Sequence, residues 1–242
     1  MSGVAADPET RPVPDRADRR FPVELGLWLS PSFPVGSFAY SHGLEWAVGD
    51  GRIHGRATAT AWLCDLLEHG SPRNDAIVLT AAWRAVCNDC RAALREANDL
   101  ALALAGTRER RLETVTQGGA FMAAMSAAWN DGRITHAAGM IDGEIAYPVA
   151  VGLASAAYGL PLGATLSAFA AAFVTNMTSA LVRLAVIGQT DGQRVIVSLM
   201  PAIEKLAAVA GNSTLEDVGG AAFLSDIAAM AHETQDTRLF RT

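Results

Sequence analysis

From Leu162 to Val182 the chain carries no charged side chain, and Arg183 follows directly. Such a run matches the about 20 residues that cross a bilayer. It therefore admits two outcomes, a membrane span or a helix packed inside a helical body. Alanine dominates the run, and Thr165, Ser167, Thr175, Asn176, Thr178 and Ser179 interrupt it, whereas a span is richer in leucine, isoleucine and valine. Leu166, Phe169, Phe173, Met177, Leu181 and Leu184 recur every three or four residues and form one stripe. Leu162 to Ile187 is thus expected to be the central, buried helix of the fold, and no membrane association is expected.

The remaining patterning is also helical. No alternating run bounded by turn signals stands out, and Val195-Ile196-Val197 is too short and isolated to make a strand. The expectation is an all-α, single-domain helical bundle of about ten helices. They are placed at Val23 to Leu29, Phe38 to Val48, Ala57 to His69, Asn74 to Cys90 and Arg91 to Leu104. A long helix capped by Thr107 follows, then one started by Pro148, the Leu162 helix, Val195 to Ala210 with Pro201 as a kink point, and Ala221 to Thr234. Gly118-Gly119 inside the Thr107 helix marks either a bend or another helix packed very close. Met1 to Arg20 holds almost no large apolar side chain and is expected to be a disordered arm. The folded domain is then 21–242, with 235–242 as a C-terminal tail.

Half of the 242 residues are hydrophobic, enough for a sizeable core, and 18% are charged with a formal net of -6. That balance excludes the basic face of a nucleic-acid binder. Lysine occurs once, at Lys205, among 19 basic residues, and arginine suits forked contacts to carboxylates and partner surfaces. Cys64, Cys87 and Cys90 make no disulfide framework, and Cys87 and Cys90 lack the second ligand pair of a zinc site. A cytoplasmic location is expected, since no apolar signal core opens the chain. There is no phosphate-binding GxxxxGK[ST], no HExxH and no GxSxG. No metal site, cofactor or catalytic set is expected. Arg108, Arg110 and Arg111 are read as a solvated face.

Two stretches stand out. In Ser30-Pro31-Ser32-Phe33-Pro34-Val35-Gly36 the prolines enforce a rigid, irregular loop. Ser37 is expected to cap the helix after it, and Gly43 inside that helix signals a close backbone or partner. His42 and Glu45, three apart, would then share a face. The second stretch is the tail. Its Leu239, Phe240 and flanking arginines have the chemistry of a docking peptide.

Ser-Pro-Ser-Phe-Pro-Val-Gly-Ser-Phe-Ala-Tyr-Ser-His-Gly-Leu-Glu at 30–45 resembles the N-terminal signature of UreF, the urease accessory protein. Thr107-Arg108-Glu109 with Gln117-Gly118 is similar to that family's middle helix, and Tyr147-Pro148-Val149-Ala150-Val151-Gly152 to its "YPVVFG" segment. Asn176, Arg183-Leu184, Ile187-Gly188-Gln189-Thr190 and Gly192-Gln193 resemble its "N…RL..IGQT.GQ" block. Arg238-Leu239-Phe240-Arg241 resembles its terminal "YSRLFRS", with Asp236 and Thr237 in place of Tyr-Ser and Thr242 in place of the last Ser. The resemblance implies a non-enzymatic, dimeric chaperone that binds UreD (UreH in some species), recruits the GTPase UreG and docks on apo-urease for GTP-dependent nickel insertion. It also implies that Phe38, Tyr40, His42, Gly43 and Glu45 lie on the functional face. Arg238, Leu239, Phe240 and Arg241 then belong to a tail ordered against UreD, with Arg238 supporting the UreG-binding surface. The alternative, from another class, is a helical small-molecule enzyme using His42 and Glu45 in a pocket.

Overall fold

A computed structural model describes residues 21–129 and 132–242. The expected arm, 1–20, and the Asn130-Asp131 turn lie outside the described residues. Eleven α-helices and no strand occur among those described. They are α1 (Val23–Trp28), α2 (Leu44–Gly49), α3 (Arg56–His69), α4 (Ser71–Cys87), α5 (Arg91–Ala103) and α6 (Arg108–Ala128). α7 (Gly132–Ala138), α8 (Tyr147–Ala157), α9 (Leu162–Arg183), α10 (Gln189–Asn212) and α11 (Phe223–His232) complete the set. The all-α bundle is as the sequence indicates, and α7 is a helix the patterning did not signal.

The helix buried on every side is α8, not α9. Val149, Ala150, Val151, Leu153 and Ala154 are all inaccessible to solvent, and α4, α5, α6, α7 and α9 pack around them. Two close approaches set this centre. An added Cβ at Gly152 would stand 2.6 Å from the Leu79 carbonyl oxygen of α4. One at Gly118 of α6 would stand 2.1 Å from the Ile145 carbonyl oxygen. The Gly118 neighbour is thus the extended entry to α8 and not another helix. Asn98 on α5 pins that entry, donating to the Glu144 carbonyl and accepting from the Ala146 amide, each at 2.9 Å.

α9 buries half of its most apolar window and α10 a third, with the two packed on one another. Both are long and apolar enough to cross a membrane by length and composition alone. In the bundle, Leu166, Phe169, Met177 and Leu181 of the α9 stripe are buried together with Thr165, Ala170, Thr178 and Ala180, while Thr175 and Ser179 look outward. α10 runs through Pro201 without interruption. Arg84 forks onto the Gly211 and Ser213 carbonyls at the end of α10, 2.7 Å to each. The arginine fork is spent here on backbone, satisfying carbonyls that a helix end leaves open.

α1 and the proline loop are held by aromatic contacts. Trp28 meets Phe121, Trp129 and Tyr158 edge-on, with ring centres 6.3, 5.3 and 5.4 Å away. Phe33 lies 5.2 Å from Phe121. Such pairs favour these tilted geometries and contribute beyond buried area.

Neighbouring glycines in α6 give a test with opposite signs. Gly118→Ala collides with backbone and is expected to lower stability by about 1–3 kcal/mol. Gly119→Ala meets open space and is expected to raise stability by up to about 1 kcal/mol. Urea midpoints of the two variants measure both.

Candidate functional site

The segment 37–48 is not the single helix its pattern suggests. Ser37–Ala39 forms one 3-10 turn, Tyr40 is extended, and His42 and Gly43 both take left-handed backbone (φ 55° and 76°) before α2 begins at Leu44. Ser37 caps nothing through its side chain; its carbonyl instead accepts from Asn176 Nδ2 at 3.0 Å. The cause of the break is tertiary. α11 crosses directly over Gly43, where an added Cβ would lie 2.7 Å from the Ala229 nitrogen. A left-handed glycine is what that approach requires. His42 and Glu45 therefore do not share a helix face.

What lies against this broken segment is the chain's own C-terminus. The Ser41 amide donates to the Thr242 carbonyl at 2.8 Å, and the Ser41 hydroxyl bonds the same oxygen. The Arg241 amide donates to Ala39 at 2.8 Å. Glu45 holds the tail by its main chain: its two carboxylate oxygens accept from the Leu239 and Phe240 amides at 2.7 and 2.9 Å. Phe240 is 4% exposed, and the Arg183 guanidinium sits 4.4 Å above its ring while donating to the Phe38 carbonyl at 2.6 Å. That stacked, hydrogen-bonded arginine fixes both the loop and the tail. Thr242 is 3% exposed, whereas Leu239 is 62% exposed.

Behind the tail lies a chain of charges. His232 of α11 is fully buried between Glu109 (Nδ1 to Oε2, 2.8 Å) and Glu45 (Nε2 to Oε2, 3.4 Å). Glu109 also takes Arg238 of the tail. One turn along α6, Glu113 accepts from Arg110 (2.6 Å), Gln117 (3.0 Å) and Thr242 (3.3 Å), with His42 Nε2 2.8 Å away. Arg110 is thus not on a solvated face; it is mostly buried and turned inward. Burial alone would raise the Glu113 carboxyl, but the His42 ring, the Arg110 guanidinium and hydrogen bonds from both outweigh it and hold the group at about 2. Burial, helped by the Arg110 charge, pushes His42 down. Its Nε2 lies 2.8 Å from both Glu113 Oε1 and Arg110 Nη1, donating to the carboxylate in one tautomer and accepting from the guanidinium in the other. Its Nδ1 is buried without a partner among the described residues.

The sequence-predicted residues divide as follows. Tyr40, His42, Gly43, Glu45 and Phe240 are drawn together in the interior of this junction, and Arg238 at its edge. Phe38, Leu239 and Arg241 present exposed side chains. Pattern reading missed Glu109, Glu113, Arg183 and His232. A signal existed: Glu113 and Gln117 continue the four-residue ladder of Phe121 and Met125, and all four are buried, while Leu112 faces water. Among the described residues no group of three or more His, Cys, Asp or Glu side chains is placed to hold a metal ion, and all three cysteines are free.

Beside this junction, Asp75 of α4 is 3.9 Å from Arg110, with its side chain 32% exposed. Burial, reinforced by the Glu113 charge and opposed by Arg110, pushes its carboxyl up from 3.8 to about 6.

Compared with known proteins, the chain matches the UreF family model over residues 53–200. It is 50% identical over 218 residues to "Urease accessory protein UreF" of Rhodopseudomonas palustris (strain BisA53), covering 90% of this chain and 92% of that one. Its likeness to the protein of the same name from Xanthobacter autotrophicus is 50% over 220 residues, covering 91% and 90% of the two chains. With that of Rhodopseudomonas palustris (strain BisB5) it is 44% over 243 residues, the full length of both.

Two outcomes follow from the geometry. Glu45→Ala removes both acceptors of the tail, and hydrogen exchange at the Leu239 and Phe240 amides is expected to quicken about tenfold or more while α8 stays protected. Ionising Asp75 costs more in the folded than in the unfolded chain, so the cost accrues as pH rises from 3.8 to about 6. Asp75→Asn is expected to melt higher than the parent above that range, with the difference closing below it; a pH series of melting curves measures this.

Proposed function

The chain belongs to the UreF family of urease accessory proteins, and we propose that it acts as a nickel-insertion scaffold in urease maturation. In this reading it works in the cytoplasm as a homodimer. It binds UreD (UreH), recruits the GTPase UreG and brings the assembly to apo-urease for GTP-dependent loading. Nickel is the cargo of that assembly. The observation that carries the reading is identity of about half the residues, over nine-tenths of the chain, with relatives named urease accessory proteins.

The chemistry of the junction supports a binding role over a catalytic one. Glu45 is occupied by two tail amides and His232, and His42 by Glu113. Glu45 faces the tail and does not line the cavity that His42 borders, so the pair is not presented together to a substrate as a small-molecule enzyme built on it would need. Surface is what this end of the molecule offers. Phe223, Leu224, Ile227 and Met230 of α11 expose large apolar side chains at helical spacing, and Leu239 exposes another. Aromatic and aliphatic anchors of this kind dominate protein interfaces. The scaffold would act by favouring one nucleotide state of UreG over the other, which shifts the cycle without chemistry of its own. Arg238 is paired with Glu109, so it serves the surface as a strut and not as a finger offered to a nucleotide.

Co-purification with UreD and UreG, with and without GTP and nickel, tests the proposal. Arg238→Ala, or deletion of Arg238 to Thr242, is expected to weaken UreG recruitment and lower urease activation in cells. Glu109→Gln, which takes the charge from the same pair, should act in the same direction. Full activation by the truncated chain would overturn the role given to the tail.

A further inference from the structure

A cavity of about 450 Å³ opens beside the tail junction, between α1, α4, α6, α8, α9 and the proline loop. Its volume falls among those of small-molecule sites, and its walls are apolar, as such sites are. Leu25, Leu29, Val35, Phe169 and Phe173 supply them. The polar groups converge on one side, where Asp75, Arg110, Glu113 and Tyr147 also line it.

The charges on that side do not balance. Glu113 is fully engaged by Arg110, Gln117, His42 and Thr242. Arg110, the one cationic side chain lining the cavity among the described residues, is spent on Glu113. Its distance to Asp75, 3.9 Å, is beyond a hydrogen bond. His42 is neutral. Asp75 is thus a carboxylate with no hydrogen-bond donor among the described residues, facing an apolar space, and it is kept there at a cost to folding. The Tyr147 hydroxyl likewise has no partner among them.

We propose that this cavity binds a small organic ammonium ion with an apolar body, its charge set against Asp75. Each alternative class of ligand fails on a named group. An anion would meet the surplus negative charge. A neutral apolar molecule would strip water from Asp75 and return nothing. A hard metal ion needs several oxygen ligands, and no cluster of three metal-binding side chains exists among the described residues. An alkylammonium ion instead gains the carboxylate and the faces of Phe169, Phe173 and Tyr147, which attract cations in a desolvated setting. The site adjoins the tail junction and shares His42, Arg110 and Glu113 with it, but its test does not depend on urease.

The probe is 2-phenylethylammonium, titrated into the full chain by calorimetry and ligand-observed NMR. Its neutral and anionic counterparts, 2-phenylethanol and 3-phenylpropionate, are run beside it. Saturable binding of the amine is expected, about tenfold or more tighter than the alcohol, with the carboxylate not binding. Asp75→Asn should erase the preference for the amine while leaving the alcohol unchanged. Ala172→Phe, which fills the cavity from α9, should block both. Absence of saturable amine binding, equal binding of the alcohol, or amine binding untouched by Asp75→Asn or by Ala172→Phe would each overturn the proposal.

Discussion

The junction at the C-terminal end of the molecule rests on the ion pair between Glu113 and Arg110. Both side chains are largely out of water, and a buried pair survives only when its remaining hydrogen-bonding capacity is met. Here it is met by residues from four places in the chain: His42 from the loop, Gln117 from α6, Ser71 from the start of α4 and Thr242 from the last position. Removing one partner strands a charge, so the loop and the tail are fixed by the same electrostatic demand. The parallel trio one turn away, Glu109 with His232 and Arg238, does the same for α11.

Most of the architecture was legible because helices of this length announce themselves. The caps at Thr107, the proline at the start of α8 and the apolar stripe of α9 are local signals, and the structure follows them. The differences arise from contacts and burial that no local pattern encodes. The helix expected across 38–48 is broken because α11, nearly two hundred positions away in sequence, needs Gly43 in a left-handed conformation. Charge ordinarily goes to water, so pattern alone puts Arg110 there; its neighbours on the buried ladder of α6 are the contrary sign. The rank of α9 as the central helix was overstated because length and apolarity do not say how many faces are covered. The shorter α8, with no polar face at all, is the one that is enclosed.

For the candidate site, the sequence identified the two stretches that meet but not the means by which they meet. Composition marked the tail as adhesive through Leu239 and Phe240. The structure divides their labour: Phe240 goes inward beneath Arg183 and Leu239 stays outside. Family likeness supplies the biological setting, and the geometry supplies a scaffold whose loop, last helix and tail are coupled to one another. Asp75 belongs to a different logic. Burial raises its carboxyl, and no local pattern distinguishes it from an ordinary surface acid.

Glu45 grips the tail by amide groups, which every residue but proline supplies. The hold is therefore indifferent to most side chains at 239 and strict only about backbone direction. The lettering of this terminus is free to change at Asp236 and Thr237, so long as Arg238, an aromatic plug at 240 and the Thr242 hydroxyl are kept and no imino acid enters beneath the carboxylate.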